Sequence, residues 1–182
     1  ASTYGGIWDT ERGVTKRLRP DSNIEESTAS NLVKSFNNNG VTISSDGGTQ
    51  IYESGQTHAS WTFRKAKGFF DVVTWDGNGV SGREIAHNLG CIPGLIILKV
   101  TTNAYAMSDQ HWQVYHRDMS VNQAARLNTS DAVISSDAFG GVRPTATHFT
   151  VGNNYTTNYN GASYVAYVFA GGESTAATAR SV

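Results

Sequence analysis

The 182-residue chain holds one cysteine, Cys91, and only three prolines. A single thiol excludes an internal disulfide and a cysteine-based zinc site. Charge is scarce as well: Asp, Glu, Lys and Arg make up 16% of the residues, where an ordinary globular domain carries about 25%. The formal net charge is −1 and the pI is near 6.6, so no basic footprint for DNA or RNA is present. Apolar runs such as Leu95 to Leu98 fall far short of the roughly 20 residues a helix needs to cross a bilayer. The strong helix formers Leu, Glu and Lys are thinly represented, which argues against long helices.

What is there points to strands and turns. Gly, Ser, Thr and Asn supply about two residues in five; threonine suits pleated strands, and the other three suit turns. Four Trp, eight Tyr and seven Phe provide the bulk for a core and argue against disorder. Phe69 to Trp75 reads as a strand that ends in the turn Asp76-Gly77-Asn78-Gly79. Leu95 to Val100 follows Pro93-Gly94 and reads as a buried strand, and Ser163 to Phe169 is a third, stopped by Gly171-Gly172. Shorter strands are expected at Val41–Ser44, Thr57–Phe63, Gly82–Ala86, His111–His116 and Ala124–Asn128. Ile24 to Phe36 alone has helical character, with acids early and Lys34 late, as the helix dipole favours.

An internal repeat organises these elements. Thr57-His58-Ala59-Ser60-Trp61-Thr62-Phe63 aligns with Ser163-Tyr164-Val165-Ala166-Tyr167-Val168-Phe169, and Val41-Thr42-Ile43 aligns with Phe149-Thr150-Val151. Upstream, the segment from Trp8 to Arg12 corresponds to the one from Trp112 to Arg117, and Leu18 pairs loosely with Leu127. The second copy has a front half, Phe69 to Val100, that the first lacks. The expected organisation is therefore all-β, with antiparallel β-sandwich modules: residues 1–67 form the second half of a preceding copy, 68–172 a complete module and 173–182 a flexible tail. On this reading the chain is the C-terminal piece of a longer protein.

No catalytic motif emerges. The five histidines fit no H-E-x-x-H pattern, and His111 and His116, five apart on a strand, face opposite ways. Asp71 with Asp76, or Asp109 with Asp118, forms no recognisable acid pair; alternation places Asp71 facing outward. Cys91 sits in a turn before Pro93 and reads as a small structural residue. No catalytic residue, metal ligand or cofactor is assigned.

Two segments stand out. His87-Asn88-Leu89-Gly90-Cys91-Ile92-Pro93-Gly94 combines residues that permit positive φ with a proline that sets the backbone before the buried strand. Its expected role is a structural turn, with Leu89 plugging the core and His87 hydrogen-bonding the turn; a ligand site at His87 is the alternative. The second segment, Gly152 to Gly161, is an uncharged loop whose Asn153, Asn154, Tyr155, Asn158, Tyr159 and Asn160 mix rigid aromatic area with adaptable amides, as antibody loops do. Receptor contact, subunit contact and a plain polar loop are all compatible with it. Apart from His148, no ionisable acid or base of ordinary charge occurs between Pro144 and Gly172.

The strings Trp61-Thr62-Phe63-Arg64-Lys65-Ala66, Gly68 to Trp75, Gly77-Asn78-Gly79, His87-Asn88-Leu89-Gly90 with Pro93-Gly94, and Tyr164 to Ala170 resemble a repeated β-module of tailed bacteriophages of the marine and cyanophage type. Such modules occur in tail-fibre and other virion structural proteins. The resemblance implies a virion structural protein and, together with the expected C-terminal placement, a tail-fibre tip that attaches the virion to a bacterial surface receptor, either a glycan or an outer-membrane protein. It further implies a homotrimer located on the virion, with no nucleic-acid partner and no membrane insertion. A head-decoration or other non-receptor virion component is the alternative, and a polysaccharide depolymerase domain is a weaker one.

Overall fold

A computed structural model describes residues 5–44, 57–102 and 110–172. Within them every regular element is a strand, and every pairing is antiparallel. Near the N-terminus β1 (Lys16–Arg17) pairs with β2 (Ser27–Thr28), and β3 (Val33–Asn37) pairs with β4 (Gly40–Ile43). There follow β5 (Phe70–Asp76), β6 (Arg83–Ala86), β7 (Pro93–Val100), β8 (Gln113–His116) and β9 (Gln123–Arg126). The last three are β10 (Ile134–Ser135), β11 (His148–Val151) and β12 (Ser163–Ala170).

Six strands form one sheet in the order β10-β9-β8-β7-β12-β5, while β6 and β11 pair as a separate ribbon. The last strand in the chain thus lies between β5 and β7, with Tyr167 opposite Val72 on one side and Ile97 on the other. A strand with neighbours on both edges and cover on both faces must be apolar throughout, and β12 is (Tyr164-Val165-Ala166-Tyr167-Val168). The absence of charge between Pro144 and Gly172 therefore has a cause inside the chain: much of the stretch is core.

Strand alternation divides the core into two layers. On one face Ile96, Leu98, Val100, Tyr115, Tyr164, Ala166 and Val168 pack under Ile85, Phe149 and Val151 of the ribbon, together with Leu89 and Phe139. On the other, Phe70, Val72, Val165 and Tyr167 pack with Trp112 against Leu18 and Ile7 from the N-terminal segment. Leu18 is fully buried, and each such side chain contributes about 1.5–3 kcal/mol by leaving water. The segment before β3 is fastened down by polar contacts as well. Trp112 Nε1 donates to the Arg19 carbonyl at 2.9 Å, and Glu26 N donates to the Thr101 carbonyl at 3.0 Å.

Three local expectations are corrected. The helix across Ile24–Phe36 does not form: the stretch contains β2 and most of β3, and Ile24 and Phe36 are both exposed. Its apolar residues were too loosely spaced to make one buried helical face, so pairing with β1 and β4 wins. The strand expected at Thr57–Phe63 is also absent, since residues 57–65 carry no regular structure and are exposed. The alternating pattern is present there, but no strand among the described residues completes the ladder. Asp71 does not face outward; it is buried at the start of β5, where Val72 N, Asn88 N and Lys65 Nζ satisfy its carboxylate. Residues 173–182, expected as a flexible tail, lie outside the described residues.

Candidate functional site

The two ends of β12 carry the two surfaces of interest. Eight residues at about 3.4 Å each separate the Ser163 end, where the Asn/Tyr loop enters, from the Ala170 end.

The loop is held largely by its own hydrogen bonds. Asn154 Oδ1 accepts from Thr156 N at 3.0 Å, Thr156 Oγ1 at 2.6 Å and Thr157 Oγ1 at 3.1 Å, while its Nδ2 donates to Asp137 Oδ1 at 2.7 Å. Trp75 Nε1 donates to the Thr157 carbonyl at 3.2 Å. The Tyr164 hydroxyl accepts from Tyr159 N at 2.8 Å and donates to the Tyr155 carbonyl at 2.9 Å. Burial lifts that phenol to a pKa of about 12, so it stays a donor at any physiological pH.

Asn158 is fully buried and acts as a clamp between two loops. Its Oδ1 accepts from Asn78 N at 3.2 Å and Arg83 Nη1 at 3.1 Å, and its Nδ2 donates to Asn78 Oδ1 at 2.9 Å and to the Val80 carbonyl at 2.8 Å. With both amide atoms engaged, Asn158 has nothing to offer a partner. Asn153 and Asn160 are exposed, whereas Asn154, Tyr155 and Tyr159 are half-buried. The structure thus separates the six loop residues into a framework and a small outward set.

At the other segment, the His87 ring lies nearly parallel to Phe149. Its Nδ1 accepts from Leu89 N at 3.3 Å, and its Nε2 lies 3.3 Å from the Thr145 carbonyl. That arrangement requires the neutral ring with hydrogen on Nε2, and burial moves the His87 pKa below its ordinary value. Asn88 N donates to Asp71 Oδ2 at 2.8 Å, Leu89 is fully buried, and its carbonyl accepts from Gly68 N at 2.7 Å. Gly90 has φ +72°, a conformation that side chains disfavour. Pro93 and Gly94 open β7, and a Cβ on Gly94 would stand 2.6 Å from Gly171 Cα. Within the described residues no group of three or more His, Cys, Asp and Glu side chains is placed to hold a metal ion.

Residues 2–177 match a domain of unknown function, DUF7483. The chain belongs to that family. Neither the curated proteins nor the solved structures return a match. The DUF7483 assignment covers both ends of β12, so framework and loops belong to one family unit.

Three features of this DUF7483 chain were not singled out in the sequence. The first is a buried polar cluster in which Asp9, Arg12 and Glu26 meet Tyr167 of β12. The second is Lys99, fully buried on β7, whose Nζ donates to the carbonyls of Asn23 at 3.3 Å and Val100 at 3.1 Å. The third lies at the Ala170 end, where Phe63, Phe69, Phe70 and Phe169 form one aromatic group. Phe63 stands 5.4 Å, centroid to centroid, from Phe169 and 5.5 Å from Phe70. Phe63 and Phe69 are about half exposed, and Trp61 is 81% exposed. The first two carry no sequence signal, because a lone Lys or Arg in a chain poor in charge reads as surface. The third had one: Trp61 and Phe63 alternate with polar residues in a segment that has no partner strand among the described residues.

Proposed function

We propose that this chain is the tip region of a bacteriophage tail fibre and attaches the virion to a bacterial surface receptor, a glycan or an outer-membrane protein. The observation that carries this reading is the resemblance of its strings to phage tail-fibre modules, with those strings falling on β5, the His87–Gly94 turn and β12. An all-β, antiparallel framework that ties its loops down from within suits a particle exposed to the environment. In the same proposal the fold is a β-sandwich module preceded by part of another, and the working unit is a homotrimer. Several weak sites on one trimer, and several fibres on one particle, then give tight attachment without a tight single site.

Adsorption tests this. Purified chain is expected to bind susceptible cells and to compete with phage for them. Binding to no susceptible strain, together with no competition, excludes a receptor role. Gold-labelled antibody placed on the head of the particle instead of its fibres assigns the chain to a decoration role.

A further inference from the structure

We propose that the aromatic group at the Ala170 end of β12, with the basic residues beside it, is a binding site for an acidic polysaccharide. The inference rests on the surface-attachment reading and gives that attachment a ligand class and a place. It locates the contact away from the Asn/Tyr loop, at the opposite end of the same strand.

Trp61 is the most exposed large apolar side chain among the described residues, and Phe63 and Phe69 beside it are each about half exposed. A tryptophan left in water on a folded domain costs free energy that contact with a ligand recovers, and contiguous exposed aromatics mark binding surfaces. Trp61 and Phe63 are two residues apart, so their Cα atoms lie within about 7 Å. Phe63 is itself fixed by edge-to-face packing on Phe169 and tilted packing on Phe70. A platform held on its inner side and open on its outer side suits the C–H face of sugar rings. It needs no rearrangement to receive them.

The charge beside the platform gives the sign of the ligand. Arg64, Lys65 and Lys67 lie within four positions of one another, and no carboxylate occurs from Thr57 to Phe70. Lys65 is engaged by Glu11 at 2.8 Å and Asp71 at 3.1 Å, so its charge is matched within the protein. Arg64 donates one nitrogen to the Asn38 carbonyl, which is uncharged. Lys67 is exposed. Arg64 and Lys67 thus leave a local positive excess next to the rings in a chain whose net charge is −1. Stacking for the sugar face and cations for a carboxylate or phosphate substituent together select an anionic glycan over a neutral one.

Titration of the whole chain with alginate, which carries carboxylates, and with phosphomannan, which carries phosphates, tests the site, with neutral dextran as the control. Binding is followed by tryptophan fluorescence and by calorimetry. At least one acidic polymer is expected to bind, with affinity that falls as salt rises, and dextran is expected not to. Trp61→Ala is expected to weaken binding at least tenfold. Arg64→Gln with Lys67→Gln is expected to weaken it severalfold and to flatten the salt dependence. Both changes lie at exposed positions, and an unaltered melting temperature shows that the fold is intact. Failure of both acidic polymers, equal binding of dextran, or variants that bind like the parent each overturn the site. Cell adsorption that survives Trp61→Ala undiminished overturns it while leaving the attachment reading in place; loss of adsorption by every form of the chain removes that reading itself.

Discussion

The Tyr167 hydroxyl donates to Asp9 Oδ2 at 2.7 Å, joining β12, the strand between β5 and β7, to a turn 158 residues earlier. Arg12 completes the arrangement. Its Nε donates to the same Asp9 oxygen at 2.7 Å, its Nη1 to Glu26 Oε2 at 3.0 Å, and its Nη2 to the Tyr167 oxygen at 3.1 Å. Burial of Arg12 alone would lower its pKa, but Tyr167, Asp9 and Glu26 outweigh that and raise it. Burial also raises the Tyr167 pKa, so Arg12 stays charged and Tyr167 stays a neutral donor across the ordinary pH range. Tyr167→Phe keeps the ring and deletes the hydroxyl, and is expected to cost about 1–3 kcal/mol. Arg12→Ala leaves the buried Asp9 without its cation and is expected to cost about 3–5 kcal/mol. Urea unfolding of the two variants checks the order; equal losses, or a greater loss for Tyr167→Phe, would contradict it.

Lys99 makes the fold sensitive to alkali in the unusual direction. Burial lowers its pKa from 10.5 to about 7, with the Glu25 charge pulling the other way. Between those two values the unfolded chain holds a proton on this amine that the folded chain has released. Stability contributed at this site therefore rises as pH rises from about 7 towards 10.5, and is least below 7. Lys99→Met removes the buried amine at similar volume. It is expected to be neutral or stabilising by about 1–4 kcal/mol, with more gain at pH 6 than at pH 9.5. Melting temperatures of both proteins across that range measure this; parallel curves would show that Lys99 does not set the slope.

His87 acts at the acid side. Its folded-state pKa lies below the ordinary 6.5, chiefly through burial and against the pull of the Thr145 carbonyl and Asp71; His148 lowers it further. The unfolded chain therefore takes up the proton first, and the stability tied to the neutral ring is lost as pH falls below about 6.5. Protonation also removes the acceptor for Leu89 N. His87→Gln is expected to lower stability at pH 7.5 and to flatten the decline from pH 7 to 5. Hydrogen exchange at Leu89 N reports the same event locally: its protection relative to the intrinsic rate at each pH is expected to fall on acidification in the parent only.

The loop at the Ser163 end is closed backbone against backbone. A Cβ on Gly77 would stand 2.0 Å from the Tyr159 carbonyl oxygen, closer than any real contact. Gly77→Ala must push the two loops apart, and is expected to cost about 1–3 kcal/mol, the range seen for overpacking. Asn158→Ala leaves Val80 O and Arg83 with fewer partners and is expected to cost a similar amount, about 1–3 kcal/mol. Asn160→Ala, at an exposed site, is expected to stay within about 0.5 kcal/mol. Thermal unfolding of the three separates framework from surface within one loop.

The strands were legible where period and turn residues agreed. Phe70–Asp76, Pro93–Val100 and Ser163–Ala170 are bounded by Gly- and Pro-containing turns and are apolar enough to be unmistakable. Thr57–Phe63 had the same alternation and formed no strand, because a strand exists only when another supplies its hydrogen bonds. For the candidate loop, composition marked the region. It could not distinguish Asn158, whose amide is spent on Asn78, Arg83 and Val80, from Asn160, which is exposed.

Composition by itself determined the class of this protein. Few helix formers, many β-branched and turn residues, one thiol and little charge leave an all-β, antiparallel fold without disulfides, because those preferences act locally and at every position. Only the tertiary structure decided which polar groups went inside. Asp9, Arg12, Lys99, Asp71 and Asn158 are buried by partners that include residues far off in sequence, and Trp61 is left exposed. Burial depends on what the rest of the chain brings to a residue, and that pairing is not a property of the residue or of its neighbours.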